Sequence, residues 1–138
     1  MIQSHTLKLK NDIKELNRLH NQLEKLAADW NIPGKPISHI DLALEELVTN
    51  IINYGYDKGN HIIIISFSFQ NDVLSIQIQD YGKAFNPLNA PKPNIDDPAE
   101  KRDIGGLGIY LMKTLMDSIK YERINNSNIL KMTKKIIP

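Results

Sequence analysis

The sequence predicts an α+β fold, a two-layer sandwich in which a mixed, mostly antiparallel sheet carries helices on one face. Two pairs of strand-like runs are each joined by a short turn, which is typical of antiparallel hairpins. Helical stretches and hairpins occur in separate blocks and do not alternate one by one, which disfavours a doubly wound parallel sheet. A chain of 138 residues suits one domain with one core, and we expect residues 1–138 to form it.

Composition excludes several classes of function. The net charge of +1 provides no strong field for nucleic acid or for an anionic membrane, so neither is an expected partner. The absence of cysteine excludes disulfides, thiolate metal sites and cysteine nucleophiles. The N-terminal residues lack the apolar run of a signal peptide, and no window reaches the length of a membrane span. We therefore expect a soluble, cytoplasmic protein.

The chain is predicted to open with an edge strand and a long helix. Residues 4–10 alternate weakly between polar and apolar, as an edge strand does. Asn11 or Asp12 is predicted to cap the helix, which ends near Trp30. One apolar stripe is expected to face the core, formed by Ile13, Leu16, Leu19, Leu23, Leu26, Ala27 and Trp30.

A second helix follows a loop. Two prolines and a glycine in residues 31–36 predict that loop. Ser38 and Asp41 have the spacing of a capping box, so the helix is predicted to begin at Ser38 and to end near Asn53.

The second half of the chain is predicted to hold two hairpins around a long loop and a third helix. The loop carries four prolines and no apolar periodicity, which in a compact domain indicates a lid or a binding loop. The predicted elements are strands at 61–70 and 73–80, the lid at 81–104, the helix at 105–117, and strands at 119–123 and 129–134 around a turn at 125–128.

The second helix presents a polar face. At about 100° per residue, Glu46, Asn50 and Asn53 fall on one side, whereas Glu45 lies about 100° away from Glu46. A carboxylate can accept a proton or hold a metal, and an amide oxygen can ligate Mg²⁺. A solvated helix face is the ordinary alternative, although asparagine is a poor helix former and two on one face need a reason.

A carboxylate ends the apolar face of one strand. Period two places Leu74, Ile76, Ile78 and Asp80 on the same side, where a carboxylate is costly unless something satisfies it. Such a carboxylate can accept a hydrogen bond from an exocyclic amine such as that of adenine, and Gly82 allows the backbone to turn close to a ligand. A simple Asp-x-Gly turn is the alternative interpretation.

A glycine-rich segment opens the third helix. Glycines at a helix start expose amide N–H groups and the positive end of the helix dipole, which favours phosphate. The segment at 105–108 is neither a Walker loop nor a dinucleotide fingerprint. Lys101 and Arg102 precede it and either reach phosphates or form a solvated charge cluster.

Taken in order, these motifs resemble the GHKL ATPase superfamily, which has the Bergerat-type ATP-binding fold. The branch they resemble most is the anti-sigma-factor serine kinases among the histidine-kinase-like ATPases. No single motif carries the resemblance, but their order along nearly the whole chain is specific. The matching segments are 46–50 (Glu-x-x-x-Asn), 54–56, 80–85 (Asp-x-Gly-x-Ala-Phe), 105–108 (Gly-Gly-Leu-Gly) and 128–132.

The resemblance implies two cofactors, ATP and Mg²⁺. Asn50 would ligate the Mg²⁺. Asp80 would bind the adenine amino group, supported through water by Gly82 and Thr133. Ala84 completes the adenine motif.

The resemblance also implies how phosphate is held and transferred. Glu46 would act as general base toward a serine hydroxyl, and Asn53 is expected to be only a peripheral contact. The residues expected around the phosphates are Lys101, Arg102, Gly105, Gly106, Leu107 and Gly108.

Three functions are compatible with these motifs. The first is a regulatory protein-serine kinase that binds a sigma factor or similar client and phosphorylates an antagonist (anti-anti-sigma) protein on serine, with a homodimer as its possible assembly. The second is a non-catalytic ATP-gated protein-binding module. The third, a histidine-kinase catalytic module, ranks low because His20 and His39 lack the context of a phosphoacceptor on a dimerisation helix.

Overall fold

Five strands form one antiparallel sheet in the computed structural model, which describes residues 3–55, 61–89 and 106–136. The strand order is β1-β2-β3-β5-β4, with β1 at one edge as predicted. The predicted α+β class is confirmed. The sheet was predicted to be mixed, but every neighbouring pair of described strands is antiparallel. The strands are β1 (Gln3–Lys10), β2 (Ile62–Gln70), β3 (Val73–Asp80), β4 (Ser118–Ile124) and β5 (Ser127–Lys135).

Tight two-residue turns close both hairpins. Asn71 and Asp72 join β2 to β3 with φ of 53° and 63°. Asn125 and Asn126 join β4 to β5 with φ of 50° and 62°. Asparagine and aspartate tolerate positive φ, and turns with positive φ at both central residues match the twist of the flanking strands. The second turn is therefore shorter than the four residues predicted, and β5 already begins at Ser127.

The first helix begins with a 3-10 turn. The helices are α1 (Leu16–Asp29), α2 (Gly34–Asn50) and α3 (Gly106–Leu115), and the 3-10 turn Ile13–Glu15 precedes α1. Asp12 is the cap, because its carboxylate accepts a hydrogen bond from the Lys14 amide at 3.0 Å. Ile13 is 52% exposed, so its predicted place in the buried stripe is wrong. The tighter 3-10 turn gives it a different angular position from the helix that follows.

The second helix begins four residues before the predicted start. Pro33 precedes it, and Pro36 lies in its first turn, where a backbone N–H needs no partner within the helix. Ser38 does not cap the helix, since its hydroxyl donates to the Gly34 carbonyl at 3.0 Å. Asp41 instead pairs with His20 of α1. The capping-box prediction is therefore wrong, and the prolines belong to the helix start rather than to a separating loop.

A π-helical turn, Ile51–Gly55, continues α2 beyond Asn50. The wider turn shifts the angular position of every residue in it relative to the α-helix before it. Asn53 lies in this turn and is exposed. It therefore does not keep the position beside Asn50 that regular helical spacing predicts.

The helices pack on one face of the sheet, and that contact forms the core. Alternate residues of β2 and β3 are buried, among them Ile65 and Ile76, while their neighbours on the other face are partly exposed. Leu19 of α1 and Leu44 of α2 have no exposed surface. Helix α2 lies between α1 and α3 and contacts both. The described motif residues lie around this core, on α2, at the start of α3, and at the ends of β3 and β5 that pair with each other.

Candidate active site

The start of α3 presses directly against the polar face of α2. A Cβ placed on Gly108 would lie 2.0 Å from the Cβ and 2.8 Å from the Cγ of Glu46. Any larger residue at this position would have to move the two helices apart. The glycine-rich helix start and the candidate base are thus brought together, although 60 residues separate them in the chain.

One helical turn along α2, Asn50 carries an unsatisfied acceptor. Its Oδ1 atom is buried and has no hydrogen-bond partner among the described residues. A buried polar atom without a partner is costly, and such atoms in a folded protein call for a donor or a cation to satisfy them. The i, i+4 spacing places this oxygen on the same side of α2 as the Glu46 carboxylate.

The neighbouring glutamate belongs to a different environment. Burial raises the pKa of Glu45, and the charge of Asp41 raises it further, while His20 lowers it. These neighbours lie at the α1–α2 contact, where Asp41 pairs with His20. The two adjacent glutamates therefore face different helices, Glu45 toward α1 and Glu46 toward α3.

Asp80 is buried at the end of β3, with 5% of its surface exposed, as period two predicts. One carboxylate oxygen, Oδ1, accepts hydrogen bonds from the Gly82 amide at 2.9 Å and from the Asn128 side-chain amide at 3.0 Å. The described hydrogen bonds leave the other oxygen, Oδ2, unused. The carboxylate is therefore fixed in orientation while keeping a free acceptor.

The turn after Asp80 is attached to the end of α2. The Lys83 amide donates to the Gly55 carbonyl at 2.8 Å. A Cβ on Gly82 would lie 2.3 Å from the same carbonyl oxygen, so only glycine fits. Arg123 of β4 also donates to the Gly82 carbonyl at 2.8 Å. These bonds hold the turn beside the π-helical end of the helix that carries Asn50.

Asn128 is a site residue that the sequence analysis did not assign. The β3–β5 register places it directly opposite Asp80, and only 7% of its surface is exposed. It is the first residue of the motif segment 128–132, which is the signal that marks it. Its role was missed because it depends on the register of two strands 47 residues apart, from the end of β3 to the start of β5.

Thr133 does not reach Asp80, and the predicted supporting role for it is wrong. It pairs with Ser75, on the sheet face opposite Asp80, and its hydroxyl lies 2.5 Å from that of Ser118. Five residues along β5 separate it from Asn128, or roughly 17 Å of extended chain. An odd separation along a strand reverses the face, so the polar partner of Asp80 is Asn128.

The structure describes only some of the remaining predicted site residues. Gly106, Leu107 and Gly108 form the first turn of α3. Ala84 is exposed, just after the turn that follows Asp80. Lys101, Arg102 and Gly105, with most of the predicted lid, lie outside the described residues.

The fold and this site define a class of protein. A two-layer α+β domain with the polar face of α2 opposite a glycine-rich helix start is the arrangement of the histidine kinase-like ATPases. The chain belongs to this family: the model of the histidine kinase-like ATPase domain matches residues 9–134. The resemblance to this superfamily is thereby confirmed.

Curated relatives include serine-protein kinases named RsbW. The chain is 33% identical over 107 residues to the one from Halalkalibacterium halodurans and 34% identical over 104 residues to one from Bacillus cereus. The matches cover 71% and 72% of this chain but only 62% and 64% of those proteins, so the chain spans somewhat less than two thirds of their length.

Solved structures share the fold. The structure of the RsbU and RsbW domains of a Mycobacterium tuberculosis protein matches with a TM-score of 0.70 at 15% identity, covering 99% of this chain and 33% of that one. A blue-light activated histidine kinase from Erythrobacter litoralis matches with a TM-score of 0.54 at 15% identity, covering 76% of this chain and 32% of that one. Within the described residues, no helix is both long and apolar enough to cross a membrane.

Proposed function

We propose that this protein is an ATP-dependent regulatory protein-serine kinase of the anti-sigma-factor type. It binds a sigma factor or a similar client and phosphorylates an antagonist protein on serine. Its similarity to serine-protein kinases named RsbW supports this function. The observation that carries it is the buried oxygen of Asn50, which has no hydrogen-bond partner among the described residues and lies one helical turn from Glu46, the residue that contacts Gly108 of α3.

The chemistry of Asn50 fits a magnesium ion. Its amide oxygen is a hard, neutral ligand of the kind that Mg²⁺ accepts, and it lacks another partner in the described residues. Bound Mg²⁺ would supply positive charge that offsets the phosphate oxygens during transfer. Asn50 would therefore hold the ion on the α2 side of the site.

In this proposal, Asp80 binds the adenine of the nucleotide and the start of α3 binds its phosphates. Asp80 accepts a hydrogen bond from the adenine amino group through its free oxygen, Oδ2. The backbone amides of Gly106 and Gly108 in the first turn of α3 hold phosphate, favoured by the helix dipole. Lys101 and Arg102 add positive charge from the lid in this proposal.

Glu46 is assigned the role of general base. It accepts the proton of the antagonist's serine hydroxyl as the serine oxygen bonds to the γ-phosphorus and the bond to ADP breaks. Its place against Gly108 keeps the carboxylate near the helix start that holds the phosphates. The adjacent Glu45, which faces α1, takes no part.

This function is tested by comparing Glu46→Gln with Glu45→Gln. With Mg-ATP and a candidate antagonist protein, Glu46→Gln is expected to retain ATP affinity while phosphotransfer falls by about two orders of magnitude or more, as losing a positioned base predicts. Glu45→Gln, the matched control, is expected to transfer at the wild-type rate. Intact mass measures the added phosphate, and calorimetry measures ATP affinity.

Two results would contradict the assignment. Undiminished transfer by Glu46→Gln removes the general-base role. Tight ATP binding by the wild type without transfer to any candidate antagonist selects the non-catalytic, ATP-gated binding module instead.

A further inference from the structure

The side-chain amide of Asn128 has every hydrogen-bonding position filled. Its Nδ2 donates to Asp80 Oδ1 at 3.0 Å and to the Lys83 carbonyl at 2.8 Å. Its Oδ1 accepts from the Phe85 amide at 3.2 Å and from the Tyr121 hydroxyl at 2.5 Å. An amide offers two donor hydrogens and two acceptor lone pairs, so all four are used.

This pattern allows only one orientation of the amide. Rotating it by half a turn would place its oxygen against the Asp80 carboxylate and its nitrogen against two donors, the Phe85 N–H and the Tyr121 O–H. Asn128 is also 7% exposed, so water cannot readily replace these partners. The nitrogen of Asn128 is therefore fixed toward Asp80.

The fixed amide determines which hydrogen bonds Asp80 can offer. Two N–H donors, from Gly82 and Asn128, occupy Oδ1. Oδ2 is thereby left as an acceptor. It can bond to a hydrogen-bond donor on the ligand, and it repels an acceptor on the ligand.

We propose that Asn128, oriented by Tyr121, is a positioning residue that makes Asp80 select a purine with a 6-amino group over one with a 6-oxo group. The inference rests on the proposed nucleotide-binding function and deepens it. A 6-amino group donates to Oδ2, whereas a 6-oxo group in the same place sets two acceptors against each other. A buried acceptor without its donor disfavours the wrong ligand.

The decisive variant is Asn128→Asp in the intact chain. It replaces the donor nitrogen with a second carboxylate oxygen about 3 Å from Asp80 Oδ1, and two carboxylates this close share a proton. Without the fixed N–H donor of Asn128, this proton can occupy either oxygen of Asp80, and on Oδ2 it donates to a 6-oxo group. Calorimetric titrations with Mg-ATP and Mg-ITP, which differ at position 6 of the base, measure the affinity ratio.

We expect the wild type to prefer ATP over ITP by about tenfold or more, and Asn128→Asp to reduce this preference by about tenfold or more. Asn125→Asp is the matched control, because it makes the same change at an exposed turn position of the same hairpin, and it is expected to keep the wild-type ratio. The ratio separates positioning from folding, since a general loss of stability weakens both nucleotides alike.

Tyr121→Phe provides a second variant, which removes only the hydroxyl that orients Asn128. It is expected to lower the ATP preference by about twofold or more. An unchanged ratio in this variant overturns the proposal, as does an unchanged ratio in folded Asn128→Asp.

Asp80→Asn distinguishes the two levels of failure. If the wild type prefers ATP and Asp80→Asn loses ATP, but Asn128→Asp keeps the preference, the positioning role fails and the nucleotide function stands. If the wild type binds neither nucleotide, the proposed function and this inference fail together.

Discussion

Two glycines at the site are required by neighbouring atoms rather than by backbone conformation. A Cβ on Gly82 would overlap a backbone carbonyl of the π-helical turn, and a Cβ on Gly108 would overlap the Cβ of Glu46. Neither neighbour is the flexible end of a side chain, so neither can yield at low cost. Single atoms of these residues therefore set how closely α2, α3 and the turn after β3 approach one another.

Gly108→Ala is expected to destabilise the protein by about 1–3 kcal/mol, because the added methyl overlaps Glu46 and forces α3 away from α2. It is also expected to weaken ATP binding, since the helix start moves. Urea unfolding and calorimetry measure the two effects.

Gly34→Ala is the control for this substitution. A Cβ at Gly34 meets nothing within 4 Å, and alanine is the better helix former there, so stability is expected to stay equal or to rise. Equal stabilities for Gly108→Ala and the wild type would contradict a close contact between Gly108 and Glu46 in the folded protein.

At the scale of elements, the contact between α1 and α2 contains a charged pair. His20 Nδ1 lies 2.5 Å from Asp41 Oδ2, and His20 Nε2 lies 3.3 Å from Glu24 Oε1. The hydrogen bond with Asp41, and then its charge, raises the pKa of His20. Pairing thus favours the imidazolium in the folded state, which links the helix contact to pH.

The sign of the pH dependence follows from this raised pKa. The stabilisation is fully present below the unfolded-state pKa of about 6.5 and is lost as pH rises through the folded-state pKa. The His20 side chain is 41% exposed, so solvent screening limits the effect to at most about 1 kcal/mol.

As the pH rises from 5.5 to 8.5, we expect the urea concentration at the unfolding midpoint to decrease more for the wild type than for His20→Gln. His39→Gln, an exposed histidine on α2, serves as the control and is expected to behave as the wild type does. If His20→Gln and the wild type lose the same stability over this range, the helix contact is not the source of the pH dependence.

At the scale of the whole molecule, one core joins the sheet to the helices. Phe67 at the middle of β2 is 1% exposed and is among the largest fully buried side chains described. Trp30, the only tryptophan of the chain, stacks on Phe69 with ring centroids 6.3 Å apart. Its fluorescence therefore reports on the packing of the end of α1 against β2.

Phe67→Ala is expected to lower the free energy of unfolding by about 3–5 kcal/mol, through lost burial and the cavity left behind. Urea unfolding followed by Trp30 fluorescence measures it. Ile62→Ala, on the same strand but 48% exposed, is expected to change stability far less, and an equal loss in both variants would contradict a core centred on Phe67.

Local patterns predicted much of this architecture. Period two placed Asp80 on the buried face of β3, and the polar turn residues located the hairpin between β2 and β3. The start of α2 was mispredicted because the Ser38 hydroxyl bonds within the helix and Asp41 bonds to another helix. A capping motif is a local signal, and contacts between distant elements can override it.

The sequence by itself determined the fold class, the family resemblance, the buried carboxylate and the polar face of α2, because each depends on local periodicity or on the order of motifs along the chain. Only the tertiary structure decided that Asn128 rather than Thr133 meets Asp80, and that Gly108 fits against Glu46. The physical reason is that strand register and helix approach are set by packing between residues far apart in the chain. A pattern of neighbouring residues does not record that packing.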